Sequence, residues 1–193
     1  MEKFMAILPY IFSTLGLISM IAASLIKGKS MKVILLLVFG GNLFCALSYF
    51  VGSGINGAAS CFIGAAQAII NYFFDSKGKP LPKWLIAIYA FAFIGVNLLV
   101  TDLGSKDFKV IGLCVMAIIA SLSFIMCIGQ KNGAKYRFWT IVNNLLWCAY
   151  DVFSGAFSVL FFTHIPLLIF TVAGMVIHDR KKEMQNAECK MQN

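Results

Sequence analysis

Charge is what this sequence has least of. Aspartate, glutamate, lysine and arginine make up 12% of its 193 residues, against roughly a quarter in soluble domains. Hydrophobic residues make up 60% before its 16 glycines are counted. That balance excludes a water-soluble globule. Histidine is scarcer still: His164 and His178 stand fourteen residues apart, so no His-x-x-x-His pair exists for a zinc-dependent membrane hydrolase. Cysteines occur without any Cys-x-x-Cys; Cys45, Cys61, Cys114, Cys127 and Cys148 fall in apolar runs and Cys189 near the end. They read as free thiols that pack like small apolar residues. There is no glycine-rich phosphate loop and no serine in a nucleophile motif. No metal site or cofactor follows, and an enzyme is the class with least support.

What the chain does have is long apolar runs. Charged interruptions divide it into spans at about 9 to 26, 33 to 52, 55 to 74, 84 to 101, 108 to 128, 136 to 154 and 157 to 177. Each is close to the ~20 residues needed to cross the hydrocarbon of a bilayer. Continuous apolar runs predict helices, because barrel strands would alternate apolar and polar positions. The expected fold class is therefore an all-α integral membrane protein with seven transmembrane helices. The first span follows Met1-Glu2-Lys3, too sparse in charge for a secretory signal, and no cleavage site of small residues precedes Lys27; it is expected to be retained.

The net charge of +8 fits a membrane surface and lipid rather than nucleic acid, since the basic residues sit in short loops and form no amphipathic face. Assigning loops to alternate sides leaves only Lys3, Lys106 and Lys109 on one side and the other thirteen of the 16 lysines and arginines on the opposite side. Cations are retained on the cytoplasmic side during insertion. The amino terminus is expected outside and the carboxyl terminus in the cytoplasm.

The loops also divide the chain. A basic loop follows span 1 and another follows span 5. After each comes a hairpin with a short uncharged turn, Gly52-Ser53-Gly54 in one case and Gly155-Ala156 in the other. Sliding the sequence by 102 residues places Asn42-Leu43 on Asn144-Leu145. The pattern predicts a three-helix unit occurring twice, with span 4 as a linker whose odd crossing gives both units the same orientation. The expected parts are a first triple-helix bundle at 1–76, a linker helix at 77–106, a second triple-helix bundle at 107–178 and a cytoplasmic tail at 179–193. In span 3, the rows Gly57, Cys61, Ala65 and Ser60, Gly64, Ala68 predict close approach of a neighbouring backbone, inside a bundle or in a dimer interface.

Asn143-Asn144-Leu145-Leu146-Trp147-Cys148-Ala149-Tyr150, followed by a short turn and a last helix, resembles the sixth helix of SWEET sugar transporters, whose pattern is roughly Asn-Gly-x-x-Trp-x-x-Tyr. It is similar still more closely to the YgjV-type bacterial inner-membrane proteins of the same MtN3/SWEET (PQ-loop) group. The likeness is clearest from about Val110 to Arg180. It implies two parallel three-helix repeats joined by a linker helix (3+1+3), each triplet packed in the order 1-3-2, with alternating access between the bundles in the inner (plasma) membrane. The solute-contacting position of the last SWEET helix falls near Thr163 and His164, where there is no asparagine, and its counterpart near Cys61 or Gly64. Prolines occur only at Pro9, Pro80, Pro82 and Pro166, so the SWEET hinge prolines of helices 1, 2, 5 and 6 are missing. The resemblance carries the architecture further than the specificity.

Polar residues at membrane depth mark function or tight pairing, because an unpaired polar group in hydrocarbon is costly. Asn143, Trp147, Tyr150, Asp151 and Ser154 recur at i, i+4, i+7, i+8 and i+11, one helical stripe. Amides beside an aromatic face suit a polar organic solute. Interhelical hydrogen bonding by the asparagines is the alternative. Asn144, on which Asn42 falls, joins the candidate set. Asp151 lies ~6 Å from the turn at 1.5 Å per residue, near enough to the outer interface to be expected hydrated, as a cation or proton site or merely solvated. His164 lies ~13 Å below the same turn, and Pro166 frees the carbonyl near Phe162. A histidine with a nearby acid can relay protons; a neutral histidine bonded to backbone is the alternative. Gln67 and Asn71 share a face of span 3, and Gln67 is the candidate from the first repeat. Asn97 is assigned nothing.

The candidate solute-binding set is Asn143, Asn144, Trp147, Tyr150, Asp151, Thr163, His164 and Gln67. The expected partner is a small-molecule solute moved by alternating access. A seven-helix sensor or receptor and a helper subunit without transport are the other readings. A homo-oligomer stays open, although seven spans with two repeats can form a pore alone.

Overall fold

The computed structural model describes residues 2–26, 31–52, 54–101, 107–130 and 133–177. Among these residues seven helices follow one another: α1 (Glu2–Leu25), α2 (Met31–Val51), α3 (Ile55–Ser76), α4 (Lys83–Val100), α5 (Phe108–Ile128), α6 (Gly133–Ser154) and α7 (Phe157–Ile177). No strand occurs among the described residues. The basic stretches at 27–30 and 131–132, Lys106, and the tail from 178 lie outside the described residues.

Six of the helices are long and apolar enough to cross a membrane; α6 is the exception. Its sequence carries Lys135, Arg137, Asn143, Asn144 and Asp151, which lower its hydropathy below that of a span read alone. The structure accommodates these polar groups by burying Arg137, Thr140, both asparagines and Asp151 against protein. Polar residues on the face of a helix that meets other helices need not face lipid, while Phe138, Leu145, Val152 and Phe153 form the outward face of α6.

The helix ends follow local chemistry. Asp107 caps α5 by accepting from the Lys109 backbone N–H at 2.8 Å, and Pro82, extended at φ −65°, immediately precedes α4, where its missing N–H costs nothing. Gly155 breaks α6 from α7 at φ +80°, a conformation a residue with a Cβ resists.

Helix α2 packs along its length against both α1 and α3, whereas α1 and α3 hardly approach one another. The expected 1-3-2 order is therefore not what the first triplet shows: α2 is its middle helix. Close approach on both flanks of α2 explains why. A Cβ on Gly57 or Gly64 of α3 would stand 2.8 Å from the Tyr49 ring and 2.9 Å from Asn42 Oδ1, and one on Gly16 of α1 would stand 3.0 Å from Cys45 Sγ. Gly57 and Gly64 of α3 thus face α2, while Ser60 faces α4; Gly57, Ser60, Cys61, Gly64, Ala65 and Ala68 are all buried within the chain, not left for a dimer partner. In the second half, α6 packs along α5 and against the start of α7. The halves meet at two seams, α3 with α5 and α1 with α7, and α4 lies across α3 and α5. Helices α2 and α6 begin 102 residues apart, as do α3 and α7.

Gly57→Val is expected to lower the unfolding temperature in detergent, costing about 1–3 kcal/mol as an overpacked core does, because the Tyr49 ring is fixed. Gly112→Ala, where a Cβ would meet nothing within 4 Å, is expected to be neutral or slightly stabilising. Equal melting of the two variants would contradict the close α2–α3 packing.

Candidate functional site

Asp151 of α6 is 0% exposed. Its Oδ1 accepts from Tyr49 Oη of α2 at 2.5 Å, and its Oδ2 is joined to His164 Nδ1 of α7 by a hydrogen bond of 2.6 Å. One carboxyl group therefore ties three helices. The expectation that Asp151 would be hydrated near the interface is corrected: the Tyr49 side chain reaches across from the other half, and the imidazole supplies the second partner. A buried acid is tolerable only when paired and hydrogen-bonded.

Aromatic rings surround this point. Trp147 lies nearly parallel to the His164 ring, centroids 6.0 Å apart at 14°, and meets Tyr150 edge to face at 5.2 Å. Tyr49 contacts both Trp147 and Tyr150. A hydrogen-bond chain reinforces the layer. Thr163 Oγ1 donates to the Ser13 carbonyl at 3.1 Å, the Ser13 and Ser48 hydroxyls are 2.7 Å apart, and Ser48 Oγ donates to the Pro9 carbonyl at 2.8 Å.

The layer separates two kinds of space. On the side of the two short turns, one vestibule of about 260 Å³ is bounded by Tyr49, Ser48 and Gly155, and a second of about 260 Å³ by Tyr150, Ser154 and Gly155. On the other side lies a cavity of about 50 Å³ at the middle of the bundle, walled by all seven helices. That volume holds a few water molecules. Toward the basic ends of the helices, Cys127 and Tyr136 of the cavity wall join Ile34, Leu35 and Ile128 in an apolar cluster.

The structure sorts the expected site residues into groups. Asn143, Asn144, Trp147 and His164 line the cavity. Tyr150, Asp151 and Thr163 belong to the hydrogen-bonded and aromatic layer above it. Gln67 is 1% exposed but does not line the cavity, and neither end of its amide has a partner. Asn143 makes the interhelical bonds of its alternative reading, donating to the Ala120 carbonyl at 2.7 Å and to Ser123 Oγ at 2.9 Å on α5. The Asn144 amide nitrogen and the Ser121 hydroxyl, both in the cavity wall, are buried without a partner. His178 and Cys189 lie outside the described residues.

A π-helical turn places His164. Residues Leu160–His164 form i→i+5 hydrogen bonds before the helix resumes, at the point where Pro166 removes an N–H from the α pattern. Such a turn inserts one residue into the helix face. Buried Gly57, Ala58 and Cys61 of α3 correspond to buried Val159, Leu160 and Thr163 of α7 at the 102 offset. Gly64, Ala68 and Asn71 correspond to Leu167, Thr171 and Gly174 at 103. The added residue allows Thr163 and His164 both to face inward.

Reading the sequence missed Tyr49, Ser13, Ser48 and Asn97. Asn97 is 0% exposed and fastens α4 to α3, its Nδ2 donating to Ser60 Oγ at 3.0 Å, while its carbonyl accepts from Thr101 Oγ1 at 2.6 Å. The signal for Tyr49 was the repeat offset, since the shift that carries Asn42 onto Asn144 also carries Tyr49 onto Asp151.

Among the described residues no cluster of His, Cys, Asp or Glu is placed to hold a metal ion. No protein-family model, curated protein or solved structure matches the chain.

Proposed function

We propose that the protein is a carrier of small polar solutes that works by alternating access between two parallel three-helix bundles, α1–α3 and α5–α7, with α4 as the linker. The observation that carries this reading is the cavity at mid-bundle, set off from the vestibules by the Tyr49–Asp151–His164 contact. A gate made from side chains of both halves breaks when the halves rock apart, and the cavity then joins the vestibule. The common 102-residue spacing of the starts of α2 and α6 and of α3 and α7 supports the duplication, as does the matching of the two seams, α3 with α5 and α7 with α1. The resemblance of the Asn143–Tyr150 stretch to SWEET and YgjV-type proteins supports the same reading.

In this scheme the short-turn end faces outward and the basic ends face the cytoplasm of a bacterial inner membrane, following the lysine and arginine bias. The gate between vestibule and cavity is the outer gate. The apolar cluster around Tyr136 and Ile128 is the candidate inner gate. The polar chemistry of the site serves binding and gating, and no reaction is assigned to it.

Uptake into proteoliposomes tests the proposal. Saturable flux of a solute is expected, lowered at least tenfold by Trp147→Ala, which removes the ring that spans cavity wall and gate. Ligand binding without flux would favour a sensor instead, and absence of both across sugars, nucleosides, vitamins and amino acids would favour a helper subunit.

A further inference from the structure

Three asparagines, Asn42, Asn143 and Asn144, stand in the wall of the mid-bundle cavity, and the two ends of their amides are used differently. Asn42 Nδ2 donates to the Val38 carbonyl at 2.9 Å, and Asn143 Nδ2 is spent on α5. Asn144 Nδ2 is sealed off from water. The three carbonyl oxygens are left as the free ends. None of them has a partner among the described residues and none is sealed from water, although the residues are only 6%, 7% and 2% exposed. Such an oxygen accepts and cannot donate. Asn42 and Asn144 stand 102 residues apart on α2 and α6, so the acceptors come from both halves. Room for Asn42 Oδ1 depends on Gly64, where a Cβ would stand 2.9 Å from it.

The rest of the wall also favours a positive charge. Phe93, Phe124 and Trp147 supply aromatic surface, whose faces attract cations. No lysine or arginine lines the space, and buried Arg137 is not part of the wall. The one acid among the buried residues, Asp151, stands directly behind the wall on His164. Taking a cation out of water is costly unless hydrogen bonds replace its hydration, and carbonyl oxygens do this in cation channels. An alkali ion needs a whole ring of them. A primary ammonium has three N–H donors, one for each asparagine oxygen, and its carbon substituent then falls to the aromatic side.

We infer that the cavity binds a small primary ammonium ion, with a short apolar substituent, whose N–H groups donate to the Asn42, Asn143 and Asn144 oxygens. This names the solute class of the carrier proposed above and rests on that reading for its place in transport, but the binding site stands on the cavity wall itself. The volume of about 50 Å³ admits an ion of about two or three heavy atoms. An alcohol of the same shape brings one donor and no charge to the same oxygens, and an anion brings none, so both bind more weakly.

Probes matched in shape or in charge provide the test. Unfolding temperatures of the full-length protein in detergent would be followed while methylammonium chloride replaces potassium chloride at constant total chloride and neutral pH, where an alkylammonium is protonated as lysine is. Methanol is the uncharged match in shape, and tetramethylammonium keeps the charge without an N–H. The parent protein is expected to show a saturable rise with methylammonium at concentrations at least about tenfold below any response to potassium, tetramethylammonium or methanol. Asn144→Leu and Asn42→Ala each remove one acceptor and are expected to raise the half-saturating concentration at least about tenfold, since a hydrogen bond to a charged donor is lost. Asn144→Leu also removes the sealed, unpaired nitrogen and is expected to melt no lower than the parent. The same titrations on the two variants remove the general effect of salts on stability. An equal response to potassium or methanol, an unchanged response in both variants, or no saturable response at all, meaning a cavity for water only, would each overturn the inference. Saturable binding of methylammonium without its flux in proteoliposomes would instead remove the carrier reading and leave the site. Flux of other solutes in a protein that does not bind methylammonium would do the reverse.

Discussion

Replacing His164 by leucine is expected to destabilise the folded protein by about 1–3 kcal/mol, the cost of leaving a buried polar group without its hydrogen-bond partner. Asp151 is completely enclosed, and its two oxygens are taken by Tyr49 and His164. Without the imidazole, Oδ2 has no hydrogen-bond partner, in a site where water does not reach. Asp151→Leu should be costly for the mirrored reason, since the Tyr49 hydroxyl and His164 Nδ1 both lose their acceptor. The double variant Asp151→Leu/His164→Leu removes both members together, and replacing a buried pair by apolar residues is often neutral. It is expected to cost no more than either single, giving a coupling of about 1–3 kcal/mol in a double-mutant cycle. Unfolding in mixed detergent micelles measures all four proteins. Additive losses would show that Asp151 and His164 do not act as a pair.

The fold was legible to the extent that hydropathy reports burial in lipid. The helix ends fall within a few residues of the sequence limits for six of the seven spans, since charges and glycine turns stop both an apolar run and a helix. At the first span hydropathy starts at 9, but α1 runs from Glu2; a helix can begin before its apolar stretch does. For α6 the situation reverses. Its stripe of Asn143, Trp147, Tyr150 and Asp151 made it recognisable as a helix with one distinctive face, while the same residues leave it below the hydropathy of a membrane span. The packing order was not legible. The small residues of α3 announced a close neighbour without saying which, and only the contact of Gly57 with the Tyr49 ring identifies α2.

The site was half legible. A lone acid and a lone histidine in apolar surroundings drew attention to Asp151 and His164, but their distance depends on a π turn that no hydropathy pattern records. Pro166 was its only trace. Tyr49 stayed hidden because a tyrosine does not interrupt an apolar run, although the repeat offset pointed to it. Gln67 shows the opposite failure. Its helix face suggested the cavity, yet α3 presents buried faces both to α2 and to α4 and α5, and Gln67 does not reach the cavity wall.

Tyr49→Phe is expected to open the gate to reagents without unfolding the bundle. The substitution keeps the ring that packs on Trp147 and Gly57 and removes only the hydroxyl that Asp151 Oδ1 accepts from. The orphaned oxygen then favours any state in which water reaches it, by about 1–3 kcal/mol, so the open population should rise about 5-fold to 150-fold. Cys45 reports that population. It lies four residues from Tyr49 on the same helix, is 1% exposed and lines the cavity below the gate. In a protein keeping Cys45 as its sole thiol, a membrane-impermeant thiol reagent supplied from the short-turn side should react faster by that factor in Tyr49→Phe. Cys114, 2% exposed and donating to the Asn97 carbonyl at 3.6 Å, belongs to the α4–α5 contact and is absent from the cavity wall. As the sole thiol in a parallel protein it should react at the parental rate, which separates gate opening from general loosening. Cys45 reactivity within twofold of the parent would mean that the Tyr49–Asp151 bond does not hold the gate, and parallel acceleration of Cys114 would mean that the whole bundle has loosened.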